Sequence, residues 1–235
     1  MDQSLVANKT IIGRVKSIVG RDSKLGKALG GLEKLQEAKF ISKHFSEFLE
    51  PVVAQSENTR TESFNIRHKV YCEELEFEPL KNNCLETDEF DKFSSPCLIR
   101  HKGSGHYAGT VRLVRPQIEN QLLPIEKYCI NSITHETLNP RNFARKDICE
   151  ISRLAVPLEF RKRQMDRFSG AATGVINEHT YSENELRCFP FIAIGLYFSA
   201  AALVMHNNIK HTYVMMEPRL ARSMRFVGIQ FEQVG

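Results

Sequence analysis

Little in this chain of 235 residues reads as a membrane span, an export signal or a metal cage. No run reaches about 18 apolar residues without a charge, and the most apolar stretch, Phe189 to Met205, is Ala- and Gly-rich and too short for a confident span. The amino end, MDQSLVANKT, lacks the basic-then-apolar layout of a secretory leader, so a cytoplasmic location is expected. The cysteines are Cys72, Cys84, Cys97, Cys129, Cys149 and Cys188. They form no C-x-x-C, and no pair stands at zinc-ligand spacing with His. They are expected to be reduced and mostly buried, with no metal site. Glycine (13) and proline (9) are too sparse for a collagen-like or low-complexity chain.

What is present is ordinary globular composition, 42% hydrophobic and 26% charged, enough to bury a substantial core. The net charge of +4 is unevenly spread. Residues 1–44 carry nine basic side chains against four acidic ones, a net +5, which leaves the rest of the chain at −1. A basic arm on a nearly neutral body is either a solvated helix face or a peripheral contact for an anionic membrane surface or an acidic protein. No nucleic-acid partner is expected.

Apolar residues recur at helical spacing from Leu25 to Leu49, which predicts an amphipathic helix, broken or not at Gly30-Gly31. Domains are accordingly drawn at 1–47, the helical arm, and 48–235. Phe48 to Ala54 reads as the opening of a strand, and Asn58 to Glu74 as a second helix. Then the period changes. Pro96 to His101 and Tyr107 to Val114 read as a hairpin around Lys102-Gly103-Ser104-Gly105. Glu150 to Val156 is a third strand, residues 161–188 a long polar loop, Phe191 to His206 a buried helix and Ile209 to Met216 a strand. A short helix, Arg219 to Phe226, and a last strand from Ile229 close the chain. Helices alternating with strands around an antiparallel hairpin imply a mixed α/β (α+β) sheet flanked by helices.

Several charges stand inside apolar strands: Arg112 in Thr110 to Val114, and Glu150 and Arg153 in Glu150 to Val156. Charges on buried strands are costly unless paired. Asp88 and Asp91 in LETDEFD and Arg67 in NIRHKVY are the partners on offer. Three arginines and three carboxylates (Asp88, Asp91, Glu150) would make a neutral cluster in one cleft. Taken singly, each is equally a surface ion-pair member.

The order of these segments resembles the acyl-homoserine-lactone synthases. IRHKVYCEELEF (Arg67, Val70, Tyr71, Phe77), LETDEFD (Asp88, Asp91), GTVRLVRP (Arg112) and CEISRLAV (Glu150, Arg153) are similar to their successive signatures, and MEPRLARSMRFVGIQFEQVG is similar to their closing helix and strand. The resemblance spans roughly Phe48 to Gly235. Within it, VYCEE, LETDE, LPIEKYC, PFIAIGLY and MEPRL look like the acyltransferases associated with the PEP-CTERM/exosortase system, themselves similar to N-acyl amino acid synthases. All are relatives of the GCN5-related N-acyltransferase (GNAT) fold.

That resemblance implies a mostly antiparallel sheet, splayed at the acyl-donor site. It implies transfer of a fatty acyl group from acyl carrier protein phosphopantetheine, or from coenzyme A, to the amine of an amino acid or similar small molecule. No bound cofactor is expected. Glu150 is implied as general base, with Arg112, Asp88 and Asp91 in the catalytic set. Arg67, Arg153, Tyr71 and Phe77 are implied at the substrate, with Arg67 ordering the segment after the first helix. Plain alternation puts Glu150 and Arg153 on opposite faces of their strand, so a shared site requires a bulge between them.

The [QR]-x-x-G-x-[GA] phosphate loop of ordinary acetyltransferases is missing from VPLEFRKRQMD; a formal match starts only at Arg167. Arg161, Lys162 and Arg163 therefore read as a docking patch for donor or carrier, or as a solvated basic loop. FPFIAIGLY, with Leu203 and Met205, reads as core or as an acyl-pocket wall. His68, His106 and His211 read as structural. Three alternatives stay open: a true homoserine-lactone synthase using S-adenosylmethionine, an ordinary acetyl-coenzyme A N-acetyltransferase, and a non-catalytic acyl or carrier-protein binding module.

Overall fold

In the computed structural model, residues 45–161, 192–226 and 229–235 are described. Phe48–Gly235 forms one compact unit. The basic arm and nearly all of the polar stretch 161–188 lie outside the described residues.

Ser56 starts helix α1 (Glu57–Arg67) through a reciprocal cap. Its hydroxyl accepts the Thr59 N–H at 3.2 Å, while the Thr59 hydroxyl accepts the Ser56 N–H at 3.2 Å. The sequence predicts one helix from Asn58 to Glu74. The backbone instead loosens at His68 into a π-helical turn, His68–Glu74, in which Leu75 N–H reaches back five residues to Val70 C=O at 3.0 Å.

Five strands follow the order β1 (Leu49–Val53), β2 (Ser94–His101), β3 (Tyr107–Val114), β4 (Ile148–Ala155) and β5 (His211–Val214). The first four pair antiparallel; β4 and β5 pair parallel. Pro51 sits on the edge strand β1, where a missing N–H costs least. The predicted hairpin is present, with Gly105 at a φ of 75° in its turn. The mixed, mostly antiparallel sheet matches the expected fold class.

Two irregularities shape β4. Opposite it, the step from Thr110 to Arg112 spans Ala155 to Ser152, so β4 carries one extra residue. That is the bulge required by a shared site, and Arg153 sits in it at a φ of 52°, in the left-handed region. Second, pairing with β5 ends at Ile151 and Val214 while β4 runs on to Ala155. β5 stops there, so along the last half of β4 the edge that faced β5 has no partner in that strand.

The two faces of the sheet are covered by different helices. Thr110 points at α1, where its hydroxyl meets that of Ser63 at 2.7 Å. Its neighbour Gly109 points the other way, at α4 (Ile192–His206), whose Ile192, Leu196 and Ala200 are fully buried. On the α1 side, Ile66 and Val70 pack with Ala54, Leu98 and Ala155. Phe90, Val114, Leu123, Ile125, Ile148 and Tyr213 form a second apolar cluster.

Two short helices, α2 (Pro124–Tyr128) and α3 (Leu158–Arg161), flank β4 in sequence, and α5 (Pro218–Phe226) follows β5. The last strand expected from Ile229 is not formed: residues 229–235 have no strand pairing. Among the described residues, their backbone bonds to the rest are Ile229 N–H to Met224 C=O and Thr134 and His135 N–H to Val234 C=O, too few for a ladder.

Gly109 shows how closely α4 lies on the sheet. A Cβ there would stand 3.0 Å from Ala155 O and 3.0 Å from Leu196 Cδ1. The carbonyl belongs to the bulged end of β4 and has little room to yield. Gly109→Ala is therefore expected to destabilise by about 1–3 kcal/mol. A urea midpoint unchanged or raised would show that α4 lifts off the sheet freely.

Candidate active site

The D-x-x-D step of LETDEFD is first a piece of local structure. Asp88 caps the 3-10 turn Glu89–Phe93, its Oδ1 accepting Phe90 N–H at 3.0 Å while Asp91 Oδ2 accepts Asp88 N–H at 2.8 Å. The spacing fixes both carboxylates in one turn. Arg60 holds that turn from α1, donating to the Asp91 carbonyl at 2.5 Å and to the Ser94 carbonyl at 3.0 Å.

Around that turn runs a closed ring of alternating charge. Arg67 Nη1 and Nη2 chelate Asp91 at 2.6 and 3.1 Å. Arg112 Nη1 bridges Asp91 at 3.0 Å and Asp88 at 2.5 Å. Arg153 Nη2 lies 3.6 Å from Asp88 and 3.2 Å from Glu86. Glu86 closes the circuit by accepting from Arg67 Nε. Three arginines and three carboxylates balance, and each guanidinium lies over an aromatic ring: Arg67 over Phe64, Arg112 over Phe90, Arg153 over Tyr71, at 5.3, 5.8 and 5.4 Å. Arg67 and Arg112 are buried; the Arg153 side chain is 27% exposed and also reaches Glu78 at 3.0 Å, so the ring opens at its Arg153–Asp88 edge.

The neutral cluster expected from the sequence therefore exists, but its third carboxylate is Glu86 and not Glu150. Glu150 is fully buried on the same strand face as Ser152, whose hydroxyl accepts from Arg112 Nε at 3.2 Å. Its Oε2 accepts the Ile125 N–H at 2.8 Å, and its Oε1 has no hydrogen-bond partner among the described residues. Burial pushes its pKa up to about 8, against the pull of the Ile125 N–H and the Arg112 charge. Asp91 is the opposite case. Burial alone would raise it, but the hydrogen bonds and charge of Arg67, with the charge of Arg112, hold it below the ordinary carboxylate value.

Further expectations change with this geometry. Arg67 is fully buried with every edge of its guanidinium engaged, so it ties the segment after α1 and does not face a substrate. Asp91 has both oxygens filled by Arg67, Arg112 and Asp88 N–H, which makes it a support and not a reacting group. Phe77 is 72% exposed and forms no wall of the buried cluster. Tyr71 does reach the site: its hydroxyl donates to Leu154 C=O at 2.8 Å, bracing the bulge.

The side chain of Arg161, and Lys162 and Arg163 altogether, lie outside the described residues. Burial pushes the thiols of Cys97 and Cys149 up to about 12 and about 11, which suits packing and not nucleophilic attack. Among the described residues, no group of His, Cys, Asp or Glu could hold a metal ion, and no helix is long and apolar enough to cross a membrane.

Sequence reasoning missed Glu78, Glu86 and a buried pair, Glu126–Arg145. Glu86 was within reach, standing beside Leu85 in the very segment singled out for Asp88 and Asp91. Glu126 carried the signal of a capping acid after Pro124. Arg145, in a polar stretch, carried none.

Residues 66–170, a little under half the chain, match the model of the acetyltransferase (GNAT) domain. No curated protein matches the chain in sequence. Among solved structures, the chain is similar to the AHL synthase LasI, with 14% identity over 80% of this chain and 81% of that one and a TM-score of 0.52. It is also similar to BjaI, a CoA-dependent acyl-homoserine lactone synthase solved with SAM and isopentyl-CoA (16% identity, 77% and 72% coverage, TM-score 0.48). A third is an acetyltransferase of Trypanosoma brucei (10% identity, 79% and 94% coverage, TM-score 0.43). At these identities, what is shared with LasI is the fold.

The two buried acids should give opposite pH signatures. Asp91, depressed on folding, adds stability above its ordinary value of 3.8 that is lost as pH falls through its lower folded value. Glu150, raised on folding, adds stability below 4.5 that is lost as pH rises through about 8. Asp91→Asn should cost about 3–5 kcal/mol at pH 7, since two buried guanidinium groups lose a charged partner. Glu150→Gln should flatten the stability profile between pH 5 and 8. Denaturant melts across pH check both; a wild-type-like Asp91→Asn would mean that the ring is not what holds this region.

Proposed function

We propose that this protein is an N-acyltransferase that moves a medium or long fatty acyl group from acyl carrier protein, or from coenzyme A, to the amine of an amino acid or similar small amine. The observation that carries this reading is Glu150. It is a fully buried carboxyl poised near pH 8 with one oxygen unpartnered among the described residues, on the strand that runs past the end of its parallel neighbour.

The unequal lengths of β4 and β5 suit a thioester arm. Beyond Ile151 and Val214, the β4 edge that faced β5 is no longer paired to it, and a pantetheine chain can lie against that edge. The amine nitrogen attacks the thioester carbonyl, forming the N–C bond; its surplus proton passes to Glu150, directly or through one water. Collapse of the tetrahedral adduct breaks the C–S bond, and the departing sulfur takes up a proton to leave as the thiol. A carboxyl near 8 is matched to accept a proton from an ammonium and give it up again.

The open edge of the ring suits the acceptor. Asp88 and Glu78 offer carboxylates to an ammonium. Arg153, whose Nε has no partner among the described residues, offers a guanidinium edge to a carboxylate. Arg112 and Asp91 hold this edge in place from behind.

Among acyltransferases, the segments VYCEE, LETDE and LPIEKYC favour the exosortase-associated and N-acyl amino acid branch. A cytoplasmic location, docking of the acidic carrier on Arg161, Lys162 and Arg163, and peripheral membrane contact through the basic arm complete the reading.

The protein, incubated with acyl carrier protein or coenzyme A thioesters and a panel of amino acids and S-adenosylmethionine, should release an acylated amine detectable by mass spectrometry. Lactone formation from S-adenosylmethionine would make it a homoserine-lactone synthase instead. No turnover with retained acyl chain would make it a binding module. Glu150→Gln should lower kcat on the order of 10²–10⁴-fold with donor binding intact, and the deficit should shrink at high pH, where free amine is already present. Near-normal turnover at pH 7 would return Glu150 to a structural role. Charge reversal at Arg161, Lys162 and Arg163 should raise KM for the carrier and flatten its salt dependence, with kcat little changed. Equal loss with a free acyl-pantetheine donor would remove the patch from carrier docking.

A further inference from the structure

The acyl-transfer reading leaves a second buried ion pair without a task. Glu126 and Arg145 are both buried and meet fork to fork, Nη1 to Oε2 at 2.6 Å and Nη2 to Oε1 at 2.8 Å. They join two pieces of chain that both end at Glu150. Glu126 lies in α2, and its Oε2 also accepts Leu123 N–H at 2.8 Å, closing the first turn. The N–H of its neighbour Ile125 is the one that Glu150 Oε2 accepts, at 2.8 Å. Arg145 opens the 3-10 turn Arg145–Asp147 that leads directly into β4.

We propose that the Glu126–Arg145 pair is the positioning unit of Glu150. Resting on Glu150 as the base, it clamps α2 to the root of β4, so that Ile125 N–H engages Oε2 and Oε1 alone is left to handle the proton. A helix of five residues has little stability of its own, and the clamp adds to the apolar packing of Leu123 and Ile125 the directional restraint that holds the aim of the Ile125 N–H.

The pair also sets part of the field. The charges acting on Glu150 are Arg112 from β3 and Arg153 from its own strand, which favour the carboxylate, and Glu126 from α2, which opposes it. Opposite on β5 stands Tyr213, and beside it on β4 Cys149. Both are raised by burial, to about 12 and about 11, and are neutral near pH 8.

This gives a test that a merely structural role would not pass. Glu126→Gln removes an anion and strands the Arg145 cation, so the Glu150 midpoint should fall by about one unit. Arg145→Gln strands the anion, so the midpoint should rise. Arg145→Lys keeps the charge and should hold the midpoint near wild type while kcat drops. The midpoints are read on the full-length protein by carboxyl ¹³C NMR, with the Glu150 signal identified by its loss in Glu150→Gln, and compared with the acidic limb of kcat.

Opposite shifts support the proposal. Shifts in one common direction, as when a loosened site admits water and relaxes Glu150 toward 4.5, overturn it, as do unmoved midpoints. The parent reading fails separately: full turnover in Glu150→Gln would remove Glu150 as base, while the NMR midpoints still decide whether the pair governs its carboxyl.

Discussion

Everything near the site hangs on the closed circuit of Arg67, Asp91, Arg112, Asp88, Arg153 and Glu86. Buried charges are tolerable only when each finds partners, and a ring gives every member two. Its members come from α1, from the segment 86–91 and from strands β3 and β4. Each of those elements is therefore held by the electrostatic needs of the others as well as by its own apolar contacts. The aromatic rings under the three guanidinium groups add a second constraint, fixing where the planes lie.

The bulge in β4 follows from the same requirement. Regular alternation would send Arg153 to the α4 face, away from Asp88 and Glu86. Placing Arg153 in the left-handed region costs on the order of 1 kcal/mol or more for a residue other than glycine. Three carboxylates within reach of its guanidinium offset that cost. The Tyr71 hydroxyl on Leu154 C=O holds the irregular backbone from the other side.

Much of the fold was legible in the sequence because it is written locally. A change of period and short apolar runs marked β2 and β3, the Gly-containing turn marked their connection, and a long apolar stretch marked α4. The parity conflict between Glu150 and Arg153 even announced the bulge. The site was legible only in part. Charges in apolar strands must pair, and so Arg67, Asp88, Asp91, Arg112 and Arg153 could be gathered. Which acid completes the ring depends on how the segment 75–88 folds back, and no periodicity carries that information. Glu150 was misassigned to the ring for this reason; a lone carboxyl against a backbone N–H looks no different in sequence from an ion-paired one. Phe77 failed likewise, an aromatic whose exposure follows from the loop and not from its residue type.

The π turn at His68–Glu74 has a consequence of its own. One such turn amounts to a regular helix with a surplus residue, and each residue of a helix advances the surface by about 100°. The surplus is a phase change along a single continuous rod. Before it, Ile66 faces the apolar core and Arg67 the ring; within it, Tyr71 comes round to the bulged strand, and just past it the Leu75 N–H still finds a carbonyl. One element thereby serves two surfaces whose directions a uniform helix could not match. A length change of one residue here would act like slipping a gear by a tooth: the rod would stay helical, but everything beyond it would be aimed elsewhere.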